Sequence, residues 1–241
     1  GTYAIVAYRS SESVYYYLTN EETTSSTKKL VAVAAGTEKP ADGIVVSASK
    51  LWAVEKSGNV YKLKSAGSEE YVSWTEGNSA EMAAEGLEFT VEKNEDVYTF
   101  NNGDRYLSLN SARGSDYFAM YASQTKDLYL IPAVEGEEAQ PTVESVKVEG
   151  YTTTFTLGDE FVFGGTVTAT LSNGVTEDVT ESAEFSGYDM SATGTQTVTV
   201  AYEGKTATYE ITINAKQDSG DASTEWVATS FADLKAGAQV V

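Results

Sequence analysis

One twelve-residue segment of the chain occurs twice. Trp52-Ala-Val-Glu-Lys-Ser-Gly-Asn-Val-Tyr-Lys-Leu63 aligns without a gap on Phe89-Thr-Val-Glu-Lys-Asn-Glu-Asp-Val-Tyr-Thr-Phe100. Val, Glu, Lys, Val and Tyr are identical, and the aromatic and apolar ends match. About eight residues beyond each copy, Tyr71-Val72-Ser73 matches Tyr106-Leu107-Ser108. Tyr17-Leu18-Thr19 is a third copy of that short element, preceded by the strand-like run Tyr3-Ala4-Ile5-Val6-Ala7-Tyr8. Such repetition marks one supersecondary unit used several times, each copy unable to bury its apolar face alone. The unit reads as strand, turn, strand.

Three copies within residues 1–134 predict pseudo-threefold symmetry. Three hairpins can close a small barrel and so remove free sheet edges. A β-trefoil-like barrel is the leading candidate, with related hairpins in another β-barrel as the alternative. The repeated Tyr61, Tyr71, Tyr98 and Tyr106 are expected to fill the barrel. Tyr15-Tyr16-Tyr17 must divide between the two faces of a strand, which turns at least one ring outward. Glu76 to Gly86 has the weakest strand character and reads as a loop or a single helical turn.

The acidic, turn-prone stretch 135–142 separates this part from a second segment, 143–214. Val143, Val146 and Val148 open it, and Phe155 and Leu157 run to a Gly158-Asp159 turn. Val167, Ala169 and Leu171 alternate with threonines, as do the apolar residues of Val198–Tyr202 and Ala207–Ile213, the period of a half-buried strand. Ser172-Asn173-Gly174 predicts a type I′ hairpin turn, and Glu203-Gly204 another turn. Six or seven short strands at this spacing indicate a β-sandwich. A second linker, 215–223, leads to a short C-terminal tail, 224–241. The fold class is therefore all-β throughout.

The residues of the second segment resemble the bacterial immunoglobulin-like domains of group 3. The resemblance is carried by Phe155-Thr-Leu-Gly-Asp-Glu-Phe161, Leu171-Ser-Asn-Gly-Val175, Ser191-Ala-Thr-Gly-Thr-Gln-Thr-Val-Thr-Val-Ala-Tyr202 and Gly204-Lys-Thr-Ala-Thr-Tyr209. It implies an extracellular spacer or presentation module with no catalytic residues. The first segment looks like an accessory β-domain of secreted Bacteroides-type proteins, through Arg105-Tyr-Leu-Ser-Leu-Asn110 and Tyr121-Ala-Ser-Gln-Thr-Lys-Asp-Leu-Tyr-Leu130. Residues 224–241 resemble the lead-in to another such module, with Gly237 in the place of Gly1. That implies a tandem array with the tail docked on 1–134 of the same or a neighbouring copy.

Composition narrows the chemistry. The chain holds no histidine and no cysteine, which removes imidazole bases, thiol nucleophiles and His- or Cys-ligated metals. The charge of −20 opposes nucleic acid as a partner, because phosphate backbones are bound by clustered Lys and Arg. No stretch has the roughly 20 apolar residues of a membrane span, so no membrane insertion is expected. An extracellular or cell-surface location is, with the export signal outside this chain. Acidic pairs such as Glu21-Glu22, Glu69-Glu70 and Glu95-Asp96 flank turns and read as solvated charge. Asn94-Glu95-Asp96 and Asn101-Asn102-Gly103-Asp104 are oxygen-rich, yet lack the spacing of an EF-hand; turn chemistry is the better reading, with no metal and no cofactor.

Binding is the remaining chemistry. Sugar sites combine an aromatic platform with side chains that fix hydroxyl groups. Trp74 with Asn78 lies at the exit of one repeat, and Asn110, Arg113, Asp116 and Tyr117 at the corresponding place in another. The Gln-x-Trp signature of ricin-like trefoils does not occur. The expected function is non-catalytic binding or adhesion at a cell surface, with a glycan or a host or cell-surface protein as partner. The alternatives are a structural spacer in an array, or an accessory region of a secreted hydrolase.

Overall fold

The computed structural model describes residues 1–217 of the chain. The tail 224–241 and its expected docking therefore lie outside the described residues. The first unit contains β1 (Thr2–Arg9), β2 (Val14–Glu22), β3 (Leu30–Gly36), β4 (Ile44–Val46), β5 (Leu51–Ser57), β6 (Val60–Ser65) and β7 (Tyr71–Ser73). It continues with β8 (Glu81–Ala83), β9 (Thr90–Asn94), β10 (Val97–Asn101), β11 (Tyr106–Leu109), β12 (Tyr117–Tyr121) and β13 (Leu128–Glu135).

The strands close on themselves. β1 pairs with β5, and β5 with β6. A Tyr61–Phe89 bridge joins β6 to the start of β9, and β9 pairs with β10. β10 pairs with β13, which returns to β1 over Tyr3–Ala7 against Pro132–Leu128. The hairpins β2/β3, β7/β8 and β11/β12 cap this six-stranded barrel. Backbone bonds link each hairpin to the next in a ring: Ala80 N–H to Lys28 O at 2.8 Å, Met120 N–H to Ser79 O at 3.3 Å, Ala32 N–H to Asp116 O at 2.9 Å. This is the β-trefoil topology that the repeat predicts.

The register also explains why the dodecapeptide appears only twice. Its copies are the strand pairs β5/β6 and β9/β10; the third equivalent is β13/β1, whose strands come from opposite ends of the unit. The core follows the same symmetry. Val54 faces Leu63, Val91 faces Phe100 and Leu130 faces Ile5. Leu63, Phe100 and Ile5 are all fully buried, as are Trp52, Phe89 and Leu128 beside them and Leu18, Val72 and Leu107 beneath the hairpins. The central residue of each Tyr-aliphatic-Ser/Thr element is thus a core residue. Trp52 is the largest, and its Nε1–H donates to Leu18 O at 3.0 Å.

Two expectations require correction. Of the four repeated tyrosines, all half-buried, Tyr98 packs against the barrel core as expected, whereas Tyr61, Tyr71 and Tyr106 do not belong to that cluster. Tyr71 and Tyr106 stand next to the buried Val72 and Leu107 and so point outward, while Tyr61 and Tyr98 share the parity of Leu63 and Phe100 but sit at strand starts, below Lys56 and Lys93. Glu76–Gly86 is neither all loop nor helical, because its middle forms β8, paired Tyr71–Ala83, Val72–Met82 and Ser73–Glu81. Closure of the hairpin ring overrides the local preference of an Ala- and Glu-rich segment.

Outside the barrel, residues 37–50 fold back over one wall. Ala4, Val6, Tyr17, Val46, Leu51, Ile131 and Ala133 form a second cluster there. β1 is accordingly buried on both faces, which its unbroken Ala4-Ile5-Val6-Ala7 run reflects.

The second unit is a sandwich of β14 (Val143–Glu149), β15 (Thr154–Thr156), β16 (Thr166–Leu171), β17 (Thr176–Asp178), β18 (Glu184–Ser186), β19 (Gly194–Tyr202) and β20 (Lys205–Asn214). One sheet runs β14-β16-β17 and the other β15-β20-β19-β18. Val167, Ala169, Val198, Val200, Ile211 and Ile213 meet between them, as the period-two pattern requires.

The Asn173-Gly174 turn is not type I′, since only Gly174 has positive φ, +79°. The loop is longer, with Leu171 N–H bonded to Val175 O, and its geometry serves the junction between units. Asn173 O accepts the Thr37 N–H at 3.0 Å, and a Cβ at Gly174 would lie 2.3 Å from Thr37 Oγ1. On the linker, Glu138 accepts from Lys50 Nζ at 2.5 Å and from the Ser47 N–H at 2.6 Å.

Two outcomes follow. Trp52→Ala, which empties a large buried volume and strands Leu18 O, should cost about 3–5 kcal/mol in the first unit by urea unfolding. Gly174→Val should separate the units: residual dipolar couplings that fit one alignment tensor in the wild-type chain should need two in the variant.

Candidate functional site

The alternation of β1 places Ile5, Ala7 and Arg9 on the inward face, so the strand ends by burying a guanidinium completely. An unpaired buried charge would be prohibitive, and each of the three guanidinium nitrogens of Arg9 has a partner. Nε donates to Asn110 O at 3.2 Å, Nη1 to Glu12 Oε2 at 2.7 Å and Asp116 Oδ1 at 2.6 Å, and Nη2 to Ser115 O at 2.8 Å. The guanidinium carbon lies 4.4 Å from the Tyr16 ring centroid, a cation–π contact. Tyr16 OH donates to Glu12 Oε2 at 2.6 Å, and the Gly114 N–H donates to Glu12 Oε1 at 3.1 Å. Arg9 thereby pins the 110–117 loop of the third hairpin onto the β1–β2 turn.

Four of the six sequence-predicted site residues gather around this brace. Asn110 is spent on structure: Nδ2 donates to Tyr117 OH at 2.8 Å and Tyr121 OH at 2.9 Å, and Oδ1 accepts from the Ala112 N–H at 2.7 Å. Burial pushes the Tyr121 hydroxyl up to about 12. Asp116 gives one oxygen to Arg9 and is 48% exposed at its side chain, so its other oxygen is free for a ligand. Arg113, 83% exposed, reaches Glu12 only at 3.9 Å. Lys29 Nζ lies 4.1 Å from the Tyr117 ring centroid and occupies one face of that ring.

Trp74 and Asn78 belong elsewhere, at the seam between the second and third hairpins. Trp74 Nε1–H donates to Gly77 O at 3.1 Å, and Arg105 Nη1 donates to Asn78 Oδ1 at 2.6 Å. The six residues thus form two separate patches, related by the pseudo-threefold rotation. Sequence reasoning missed Arg9, Glu12 and Tyr16; the parity of Arg9 with Ile5 and Ala7 was the available signal.

The electrostatics suit bracing and contact. Burial of Glu12 opposes its charge, yet the bonds from Tyr16, Arg9 and the Gly114 N–H outweigh it and hold the carboxyl below its ordinary value of 4.5. A carboxylate held ionised in this way is a poor general acid. Among the described residues, no group of three Asp or Glu side chains converges as metal ligands would. In the oxygen-rich 101–104 loop, Asn101 Oδ1 accepts from the Gly103 N–H and Asn102 Oδ1 from the Asp104 and Arg105 N–H groups, ordinary turn chemistry. A groove of about 920 Å³ opens at the junction of the units, lined by residues that include Tyr17, Val45, Lys50, Glu138, Asn173 and Tyr202.

Residues 142–213 match the family of bacterial Ig-like domains (group 3), in agreement with the resemblance of 143–214. No curated protein matches the chain. Among solved structures the chain is similar to a solution structure described as a surface protein, at 26% identity and TM-score 0.22, over 34% of this chain and 99% of that one. It is also similar to the Macrolepiota procera ricin B-like lectin in complex with lactose, at 11% identity and TM-score 0.39, over 55% of this chain and 95% of that one. A third is the Rhizoctonia solani agglutinin, at 12% identity and TM-score 0.38, over 55% and 94%. The trefoil assignment rests on the strand pairing above.

The brace has a measurable signature. Arg9→Met should cost about 3 kcal/mol, toward the lower end for a broken buried pair because Asp116 is half-exposed. With its folded-state value depressed, Glu12 contributes stability above pH 4.5 that fades as the pH falls through that lower value. Glu12→Gln should therefore destabilise the chain at pH 7 and flatten the loss of stability below pH 4.5, measured by urea midpoints across pH 2.5–7.

Proposed function

We propose that the chain is the non-catalytic binding portion of an exported bacterial surface protein. The trefoil offers the recognition surface and the Ig-like unit carries it, outside the cell. The observation that supports this most is the match of residues 142–213 to bacterial Ig-like domains, joined through a bonded junction to a barrel whose exposed loops are braced from beneath. Glu12 and Asp116 share one guanidinium; Glu12 is spent within the brace, and the half-exposed Asp116 serves as a fixed charge and hydrogen-bond acceptor for a partner to read. The charge of −20 repels polyanions and favours neutral or cationic partners.

A structural spacer is the second reading, favoured by the Asn173–Thr37 bond between the units and the Glu138–Lys50 pair that holds the linker on the first unit. The two readings part on one experiment. The chain, fluorescently labelled, is applied to a glycan array and to intact host and bacterial cells. Saturable binding on either surface supports recognition, and Arg113→Ala with Tyr117→Ala should weaken it about tenfold if the third-hairpin patch is used. Silence on both surfaces leaves the spacer.

A further inference from the structure

The Tyr15-Tyr16-Tyr17 run divides as strand parity requires. Tyr16 faces the Arg9 brace and Tyr17 is buried under residues 37–50, whereas Tyr15 is turned outward and half-buried. It does not stand alone. Tyr8 is its cross-strand partner, with ring centroids 4.7 Å apart at 41°. Tyr129, outward on β13, lies 6.1 Å from Tyr15 in an edge-on arrangement. Three half-buried phenol rings thus share one outer wall of the barrel, directly beside the stretch that residues 37–50 cover.

The rim of this wall is charged and self-neutralised. Lys39, at the start of the covering segment, places Nζ 5.1 Å from the Tyr129 ring centroid and 3.1 Å from Asp96 Oδ2 on the β9–β10 turn. Lys39 and Asp96 are 37% and 77% exposed at their side chains, so both can exchange part of their mutual bond for a ligand hydroxyl.

We propose that Tyr8, Tyr15 and Tyr129, edged by Lys39 and Asp96, form a binding site for a neutral pyranose residue at the end or in the middle of a glycan. The inference rests on the reading of the chain as a binding module. A pyranose has one face of C–H bonds and a rim of hydroxyls. The phenol faces match the first; an ammonium donor and a carboxylate acceptor 3.1 Å apart match two adjacent hydroxyls. A flat hydrocarbon partner would leave the Lys39–Asp96 pair and three phenol hydroxyls unused. A sialic or uronic acid would meet the repulsion of a chain with charge −20. The site is separate from the Arg113–Tyr117 and Trp74–Asn78 patches, and its residues come from β1, β2, β13 and two turns that only barrel closure brings together.

The test is a titration of the whole chain with the methyl glycosides of glucose, galactose, mannose and N-acetylglucosamine and their neutral oligosaccharides. Saturation-transfer NMR and calorimetry supply the readouts. The expected result is binding by at least one of these, weakened tenfold or more by Tyr15→Ala and at least threefold by Lys39→Ala. Tyr15→Phe, which keeps the ring, should retain most of the affinity, and Tyr106→Ala, another outward tyrosine, should change nothing. The melting temperature of each variant guards against unfolding, and Lys39→Ala, at an exposed side chain, keeps the test valid if Tyr15→Ala does not fold. Binding untouched by the Tyr15 and Lys39 variants but lost with Tyr117→Ala would overturn this site and leave the binding function intact. Binding to cells with no response to neutral sugars would overturn the ligand class alone. Silence toward sugars and cells together would overturn both.

Discussion

The structure depends on the pairing of its first strand with the last strand of the trefoil. β1 is bonded to β13, to β5 and, at its far end, to β2, and it is buried on both faces over Ala4–Ala7. Without β1 the barrel has two open edges, and the cluster beneath residues 37–50 has no floor. A six-stranded barrel tolerates no gap, because the exposed ladder groups of an edge would be left to water or to another chain. The contact also spans nearly the whole unit in sequence, so its loop-closure cost is recovered only when all three hairpins are in place.

Two of the candidate surfaces, the 110–117 loop and the tyrosine wall, are products of that closure. Arg9 ends β1, and its guanidinium fixes the 110–117 loop of the third hairpin. Tyr8 immediately precedes it and joins Tyr15 and Tyr129 on the outer wall. One strand therefore supplies core on one face, a buried charge at its end and an aromatic platform on the other face. The alternation of side chains along a strand permits this combination. Positions fixed by closure require little ordering when a ligand arrives, which is how a shallow surface can bind specifically.

Much of this was legible in the sequence. The repeated dodecapeptide marked two barrel strand pairs, and the Tyr-aliphatic-Ser/Thr element marked three hairpins through the core residues Leu18, Val72 and Leu107. The alternating threonines and valines of 166–171 and 194–214 gave the sandwich. What the sequence hid was long-range. The third dodecapeptide copy is split between residues 128–133 and the chain start, so no local alignment can show it. β8 was obscured because its pairing with β7 outweighs the composition of residues 81–83. The Arg9 brace joins residues about a hundred positions apart, and the loop at Asn173 meets Thr37 of the other unit. The predicted Asn110 reads as a ligand-binding amide in sequence, yet its amide is saturated by Tyr117, Tyr121 and Ala112.

Native-state hydrogen exchange tests the closed barrel most directly. The amides of Ala4–Ala7 and of Leu128–Ile131 should exchange only through global unfolding of the trefoil, with one shared free energy and one shared denaturant dependence. Exchange of the Ala4–Ala7 amides at a distinctly lower free energy, with β5, β6, β9 and β10 still protected, would show that the barrel stands without its first strand and would contradict the account.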